Sequence, residues 1–228
     1  MRVLAGSDTP HVLVKFSGAD GSSAVRRWAD LLVCEHLALE SAGMLPGLAC
    51  ARSRILEHGG RTFLELERFD RHGPFGRSRL NSLATLDAAL LGDGSADWTH
   101  LAERLSAMGL VSAEDRQQIA HLWWFGRLVA NSDMHTGNLS FSPRGMLALA
   151  PVYDMLPMLY APLPGGEVPA RSFTPPLPLP QQRDAWSTAC AAAMAFWRRA
   201  ALDPRISAAF RGICKANAQR LDALAARA

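Results

Sequence analysis

The chain has 228 residues, 49% of them hydrophobic, enough for one sizeable core or two small lobes sharing an interface. Its 24 Lys and Arg nearly balance 21 Asp and Glu, and no block of like charge stands out, which argues against direct nucleic-acid binding. Cys34, Cys50, Cys190 and Cys214 show no CxxC spacing, so a reduced, cytoplasmic protein is expected rather than a disulfide framework or zinc site.

Met1–His11 lacks the long apolar run of a signal peptide, and no stretch of about 18 apolar residues is available to span a membrane. His11–Phe16 is rich in β-formers and reads as a strand carrying Lys15. After a Gly/Ser turn, residues 24–42 read as a helix. Val25, Trp28, Leu32, Glu35 and Leu39 alternate at spacings of three and four and define one buried face, which includes the Glu35 carboxylate. Gly43 ends that helix and Pro46 prevents its return. Ser53–Leu56 and Thr62–Phe69 read as a hairpin around His58-Gly59-Gly60.

Residues 71–80 form a basic, Gly-containing loop, and from about residue 83 the pattern turns helical. Ser112 and Asp115 form a capping-box signature for a helix to Ala130, with Ile119, Trp123, Gly126 and Val129 as its buried stripe. Leu139–Phe141 and Met146–Ala150 read as a second hairpin. Residues 157–180 hold eight of the fourteen prolines and read as an extended segment rather than a packed element. From Asp184 the chain is Ala-rich helix, broken near Asp203-Pro204.

Between the long helix and the second hairpin lies Asn131-Ser132-Asp133-Met134-His135-Thr136-Gly137-Asn138, and Val152-Tyr153-Asp154 follows the hairpin. Phosphoryl transfer requires positioning and cations more than covalent help. Mg²⁺ takes oxygen ligands and keeps several waters, so one or two carboxylates and an amide suffice. In this order Asp133 is placed to accept a hydroxyl proton, and Asn138 and Asp154 to ligate Mg²⁺. Gly137 is expected to give the loop a backbone conformation most residues resist. The loop taken alone also fits plain turn chemistry, and Asp154 alone fits a helix N-cap. The order Asp-x₄-Asn, strand, turn, strand, Asp is that of a kinase catalytic loop followed by its metal-binding Asp.

His135 follows Asp133 by two positions. With no second His or Cys cluster nearby to build a zinc site, it reads as a loop organiser or phosphate neighbour in the catalytic set. A Lys within an apolar strand points to solvent or to an anion, and a carboxylate on a buried helix face needs a cation. Lys15 and Glu35 answer each other; an edge-strand Lys with a surface Glu is the bland alternative. Glu67-Arg68-Phe69 ends the first hairpin, where backbone groups could meet an adenine edge; spacing alone leaves an ordinary strand end equally open.

These residues together resemble the HipA-like serine/threonine kinases, the toxin half of bacterial toxin–antitoxin pairs. The matching stretches are His11–Phe16, Leu66–Arg71, Leu128–Phe141 and Ala150–Asp154, in the family's order. Gly137 before Asn138 is most similar to the YjjJ/HipT-type branch. The resemblance implies an α+β, bilobal protein-kinase-like fold, with a small, truncated β-containing N-lobe (residues 1–70) and a larger, mostly helical C-lobe (71–228). It implies ATP and Mg²⁺ as cofactors, with Lys15 on phosphate, Glu67, Arg68 and Phe69 as the adenine hinge, Asp133 as catalytic Asp, and Asn138 and Asp154 as metal ligands. Glu35 is assigned from its helix face. Family substrates include aminoacyl-tRNA synthetases, whose phosphorylation arrests translation and growth, and family partners include a small helix-turn-helix antitoxin.

Family members carry a Ser- and Gly-containing, phosphate-covering loop ahead of the Lys strand. Only fourteen residues precede Lys15 here, and MRVLAGSDTPH holds no such loop. The expectation is therefore the kinase portion of a longer protein, or a partner of a separately encoded N-terminal piece, with weakened ATP affinity. Three functions compete on these grounds. They are a protein kinase, a catalytically weak remnant that binds nucleotide or a protein, and a small-molecule kinase sharing the same metal chemistry.

Overall fold

The computed structural model describes residues 9–227, so the expectation about a missing phosphate loop rests mostly on residues outside those described. The N-terminal part comprises β1 (Val12–Phe16), α1 (Ser23–Ala42), β2 (Ser53–His58) and β3 (Arg61–Glu67). The strands form an antiparallel sheet in the order β1-β3-β2, with Lys15 opposite Leu64. His58 pairs with Arg61, leaving Gly59-Gly60 as a two-residue loop. Both glycines have positive φ, 57° and 72°. The twist of a tight hairpin demands that of both positions, which is why glycine fills them.

Helix α1 starts where Ser22 Oγ accepts a hydrogen bond from the Val25 amide, 3.2 Å. Leu32, Glu35 and Leu39 are buried as expected, but so are Leu31, Val33, Leu37 and Ala38. The helix has no single stripe there because it is wedged between the sheet and a C-terminal helix. Trp28 departs from the expected buried face. It is 38% exposed and lines an open groove with Phe16, Leu31 and Leu156.

The remaining elements are β4 (Arg71–His72), β5 (Gly76–Arg77), β6 (Asn81–Ser82), α2 (Leu83–Leu86), α3 (Trp98–Ala107), α4 (Ala113–Leu128), β7 (Ser140–Arg144), β8 (Met146–Leu149), α5 (Arg183–Leu202) and α6 (Ala208–Ala225). The basic loop at 71–80 thus contains a small β4–β5 hairpin, and β6 adds a third strand to the β7–β8 pair. Ser112 caps α4 as its sequence predicts: Ser112 Oγ accepts from the Asp115 amide and donates to its carboxylate. The other Asp115 oxygen accepts from the Leu149 amide, pinning β8 to the start of α4.

A continuous apolar core joins α1 and the sheet to α3, α4, α5 and α6. Trp197 and Phe210 are fully buried beside Tyr160. Trp197 Nε1 donates to Leu128 O, and Asn217 Nδ2 donates to the Tyr160 hydroxyl. Asp30 is buried but caps α6, accepting from the Ser207 amide (2.6 Å) and hydroxyl (2.7 Å).

The Pro-rich stretch corrects the sequence reading. It is extended, yet it is packed: Phe173 is buried against Trp197, Arg171 donates to Leu159 O, and Trp186 Nε1 donates to Pro176 O. Its prolines keep it out of strand and long helix, and Phe173 packs on Trp197 of α5 while Leu163, Leu177 and Leu179 stay exposed. Among the described residues, no helix is long and apolar enough to cross a membrane.

Candidate active site

Lys15 sits in the middle of β1, and its Nζ reaches three carboxylate oxygens. It donates to Glu35 Oε1 at 2.8 Å and Oε2 at 2.9 Å, and to Asp154 Oδ1 at 2.6 Å. Glu35 is fully buried, whereas Lys15 and Asp154 side chains are about one-third exposed. Burial pushes the Glu35 carboxyl up to about 7, against the pull of Lys15. Burial also draws the Lys15 ammonium down, but Glu35 and Asp154 together outweigh it and the net direction is upward.

Asp154 reaches Lys15 because the chain before it is stitched to the N-terminal part. Cys50 and Val152 form a parallel bridge, the Ala51 amide donates to Val152 O, and the Val152 amide donates to Ala49 O. Asp154 itself has φ 57°, a left-handed conformation that costs a non-glycine residue on the order of 1 kcal/mol and that Asp tolerates better than most.

The loop at 131–138 begins where α4 stops. Ala130 is left-handed at φ 59°, and the Asn131 amide closes back on Gly126 O, a Schellman-type stop with alanine in the usual glycine place. Buried Asn131 then holds both halves of the site. Its Oδ1 accepts from the Asp133 amide at 3.0 Å, and its Nδ2 donates toward Asp154 O at 3.5 Å. Asn138 Nδ2 donates to Asp133 O at 3.0 Å, which closes the loop. Tyr153 OH donates to Gly137 O at 2.9 Å and shares a 2.7 Å hydrogen bond with Ser140 Oγ. Asn131 and Tyr153 belong to the sequence motif, but spacing gives them no role; the fold shows that they link its parts.

Two glycines here are explained by space. A Cβ on Gly126 would lie 2.5 Å from Met134 Sδ and 3.2 Å from Met155 Sδ, so α4 is thinned where the loop and the residue after Asp154 press on it. Gly137 corrects the expectation of an unusual backbone. It is absent from the positive-φ residues; instead a Cβ there would lie 2.9 Å from the His135 ring. His135 Nδ1 accepts from the Gly137 amide at 3.1 Å, so the exposed imidazole organises the turn.

Seven of the expected site residues line two adjoining hollows, whereas Asn138 and His135 line neither. Lys15, Glu35, Glu67, Arg68, Phe69 and Asp154 line a cleft of about 320 Å³, whose apolar walls include Leu13, Ala51, Leu66 and Leu80, none of them picked out from sequence. Asp133 joins Lys15, Glu35 and Asp154 in the second hollow, of about 250 Å³. Asn138 lies at the far end of the same loop as Asp133. In the strand-end segment, the Glu67, Arg68 and Phe69 amides donate to Arg52 O, His11 O and Glu67 O, and the Arg68 side chain is tied to Asp70. The Glu67 carboxylate is ion-paired with Arg52, Oε2 to Nη1 at 3.5 Å, although Oε2 makes no hydrogen bond.

A mixed α/β fold with a Lys–Glu pair on strand and helix, beside a loop bearing Asp and Asn and a following Asp, is the class of kinase-like proteins. The chain belongs to the family described as the HipA-like C-terminal domain, which residues 2–221 match. It is 40% identical over 211 residues to Toxin YjjJ of Escherichia coli (strain K12), covering 92% of this chain and 47% of that protein. The chain therefore spans about half the length of this curated relative. Its fold is similar to HipA in the Shewanella oneidensis MR-1 toxin–antitoxin complex of HipA, HipB and operator DNA (TM-score 0.60, 18% identity, 95% of this chain and 58% of that one). It is also similar to the Helicobacter pylori proinflammatory kinase CtkA (TM-score 0.57, 11% identity, 93% of this chain and 83% of that one). The expected α+β, bilobal kinase-like fold is thus borne out.

Proposed function

We propose that this chain is the kinase portion of a HipA-like toxin that transfers phosphate from Mg²⁺-ATP to a protein Ser or Thr. The observation that carries the reading is the convergence of Lys15, Glu35, Asp133 and Asp154 on one hollow beside an apolar cleft. On this reading residues 1–70 act as the smaller lobe and 71–228 as the larger.

The residues present fit Mg²⁺-ATP. The cleft is lined mainly by apolar side chains, which suits the faces of an adenine ring, and Glu67 stands in its wall ion-paired with Arg52. Among the described residues no group of three or more His, Cys, Asp and Glu is gathered for a metal. That suits Mg²⁺, which takes few protein ligands and completes its shell with phosphate oxygens and water. Asp154 and Asn138 would hold it, and when bound it supplies charge neutralisation at the phosphate oxygens.

The chain's own groups divide the remaining work. Lys15, positioned by Glu35, binds phosphate oxygens. Asp133, exposed at the mouth, orients the acceptor hydroxyl and takes its proton. Asn131 and Tyr153 fix the distance between the Asp133 loop and Asp154. His135 shapes the loop rather than touching the acceptor. As in the family it resembles, an aminoacyl-tRNA synthetase is the substrate class to try first and a helix-turn-helix antitoxin the partner.

The test is transfer of labelled phosphate from ATP to proteins of a cell lysate with Mg²⁺, followed by phosphoamino-acid analysis. Labelled Ser or Thr with wild type but not with Asp154→Asn is the expected result. Mg²⁺-dependent stabilisation by ATP without any transfer would leave a nucleotide-binding protein instead of a kinase.

A further inference from the structure

The hollow that holds Asp133 has two chemically different ends. Lys15, Glu35, Asp133 and Asp154 supply all of its charge, and the rest of its wall is apolar: Phe16, Trp28, Leu31, Leu32, Leu156 and Met158. Leu31, Leu32 and Leu156 are buried, whereas Phe16 and Trp28 are 61% and 38% exposed. These two rings come from different elements, β1 and α1, yet line the same hollow. Phe16 is held from the sheet side by the Phe63 ring, at 5.9 Å between centroids, and by the Arg61 guanidinium, 5.7 Å from its own centroid. The Trp28 indole has no hydrogen-bond or ring partner among the described residues. Aromatic side chains left open in this way are what recognition surfaces bury at their centres.

Three reactant groups must be housed if the chain transfers phosphate, the reading on which this inference rests. The adenine ring suits the apolar cleft, and the phosphates suit Lys15 and Asp154, which line both hollows. The Phe16–Trp28 end offers phosphate no Lys or Arg beyond Lys15. What remains is the acceptor, whose hydroxyl must reach Asp133 on the same hollow.

We propose that this apolar end is a specificity site for the acceptor protein: it takes a bulky apolar side chain one or two positions from the phosphorylated Ser or Thr. Such a neighbour lies about 3.5–7 Å along an extended chain, the scale of a hollow of about 250 Å³. Its burial removes apolar surface of the acceptor and of Phe16 and Trp28 from water together.

The test uses an Ala-rich nonapeptide with one central Ser, and versions of it carrying a single Leu one or two positions before or after that Ser. With wild type, kcat/KM for labelled phosphate transfer should be at least about tenfold higher for one or more Leu peptides than for the Ala-rich one. Trp28→Ala should reduce that ratio to below about threefold, and Trp28→Phe should keep most of it. Docking is read separately, without ATP, from the Trp28 indole ¹H–¹⁵N resonance of wild type titrated with the same peptides bearing Ala in place of Ser. It should move with at least one Leu peptide and stay in place with the all-Ala peptide. Transfer without preference for any Leu peptide, an undiminished ratio in Trp28→Ala, or an indole that no Leu peptide moves up to roughly 5 mM would overturn the proposal. An indole that moves with a Leu peptide, in a chain that labels neither peptides nor lysate proteins, supports the groove while the kinase reading falls.

Discussion

Lys15 Nζ and Asp154 Oδ1 lie 2.6 Å apart although 139 residues separate them in sequence. The contact closes β1 onto the segment that follows the β7–β8 hairpin. It leaves Lys15 shared between a buried carboxylate and one about one-third exposed. Whatever binds Asp154 competes with Lys15 for it, while Glu35 keeps the ammonium in place.

Lys15→Met removes the partner of a fully buried carboxylate. Breaking a buried pair costs about 3–5 kcal/mol, and the partial exposure of Lys15 together with proton uptake by Glu35 reduces this to about 2 kcal/mol. Adding Glu35→Gln to Lys15→Met should recover part of that loss. Urea unfolding of the two variants reads both values.

Asp154→Asn keeps a residue type that tolerates the left-handed backbone at φ 57°. The Lys15 contact it weakens is one-third exposed, so stability should stay within about 1 kcal/mol of wild type. Phosphoryl transfer should be lost all the same. Thermal melts beside an activity assay separate the two effects.

Ala130→Gly should stabilise the fold by about 1 kcal/mol, because Ala130 occupies a left-handed helix stop that glycine adopts without a Cβ penalty. A lower denaturation midpoint for this variant would contradict the account of how α4 ends.

Asp30 gives a pH dependence. Burial raises its pKa above the ordinary aspartate value, outweighing the Ser207 hydrogen bonds that lower it. The folded state therefore holds the proton more tightly than the unfolded state. This contribution is fully present below the unfolded pKa and is lost as pH rises through the folded one. Asp30→Asn removes the slope, so the stability of wild type relative to the variant should be greater at pH 4 than at pH 7.

Much of this was legible in the sequence because local chemistry announced it. Ser112 with Asp115 started α4, Gly59-Gly60 made a two-residue turn, and Lys15 answered Glu35 across 20 positions. Periodicity failed where a helix is packed on two sides, as with α1, and where an exposed turn looks apolar, as with Trp28. Composition gave the extended course of residues 157–180 but missed the burial of Tyr160 and Phe173, since prolines forbid regular structure without forbidding burial. Asn131 and Tyr153 carried no spacing signal, because their partners lie on other elements. Gly137 was given a backbone reason when its neighbour His135 supplies a steric one.

On the proposed function, Asp133 works on the acceptor hydroxyl while Lys15, Asn138 and Asp154 hold Mg²⁺-ATP. Single-turnover transfer of labelled phosphate by Asp133→Asn, with Mg²⁺-ATP affinity measured alongside, tests it most directly. The account predicts affinity close to wild type and transfer slower by about 100-fold or more. Transfer at the wild-type rate by Asp133→Asn would contradict it.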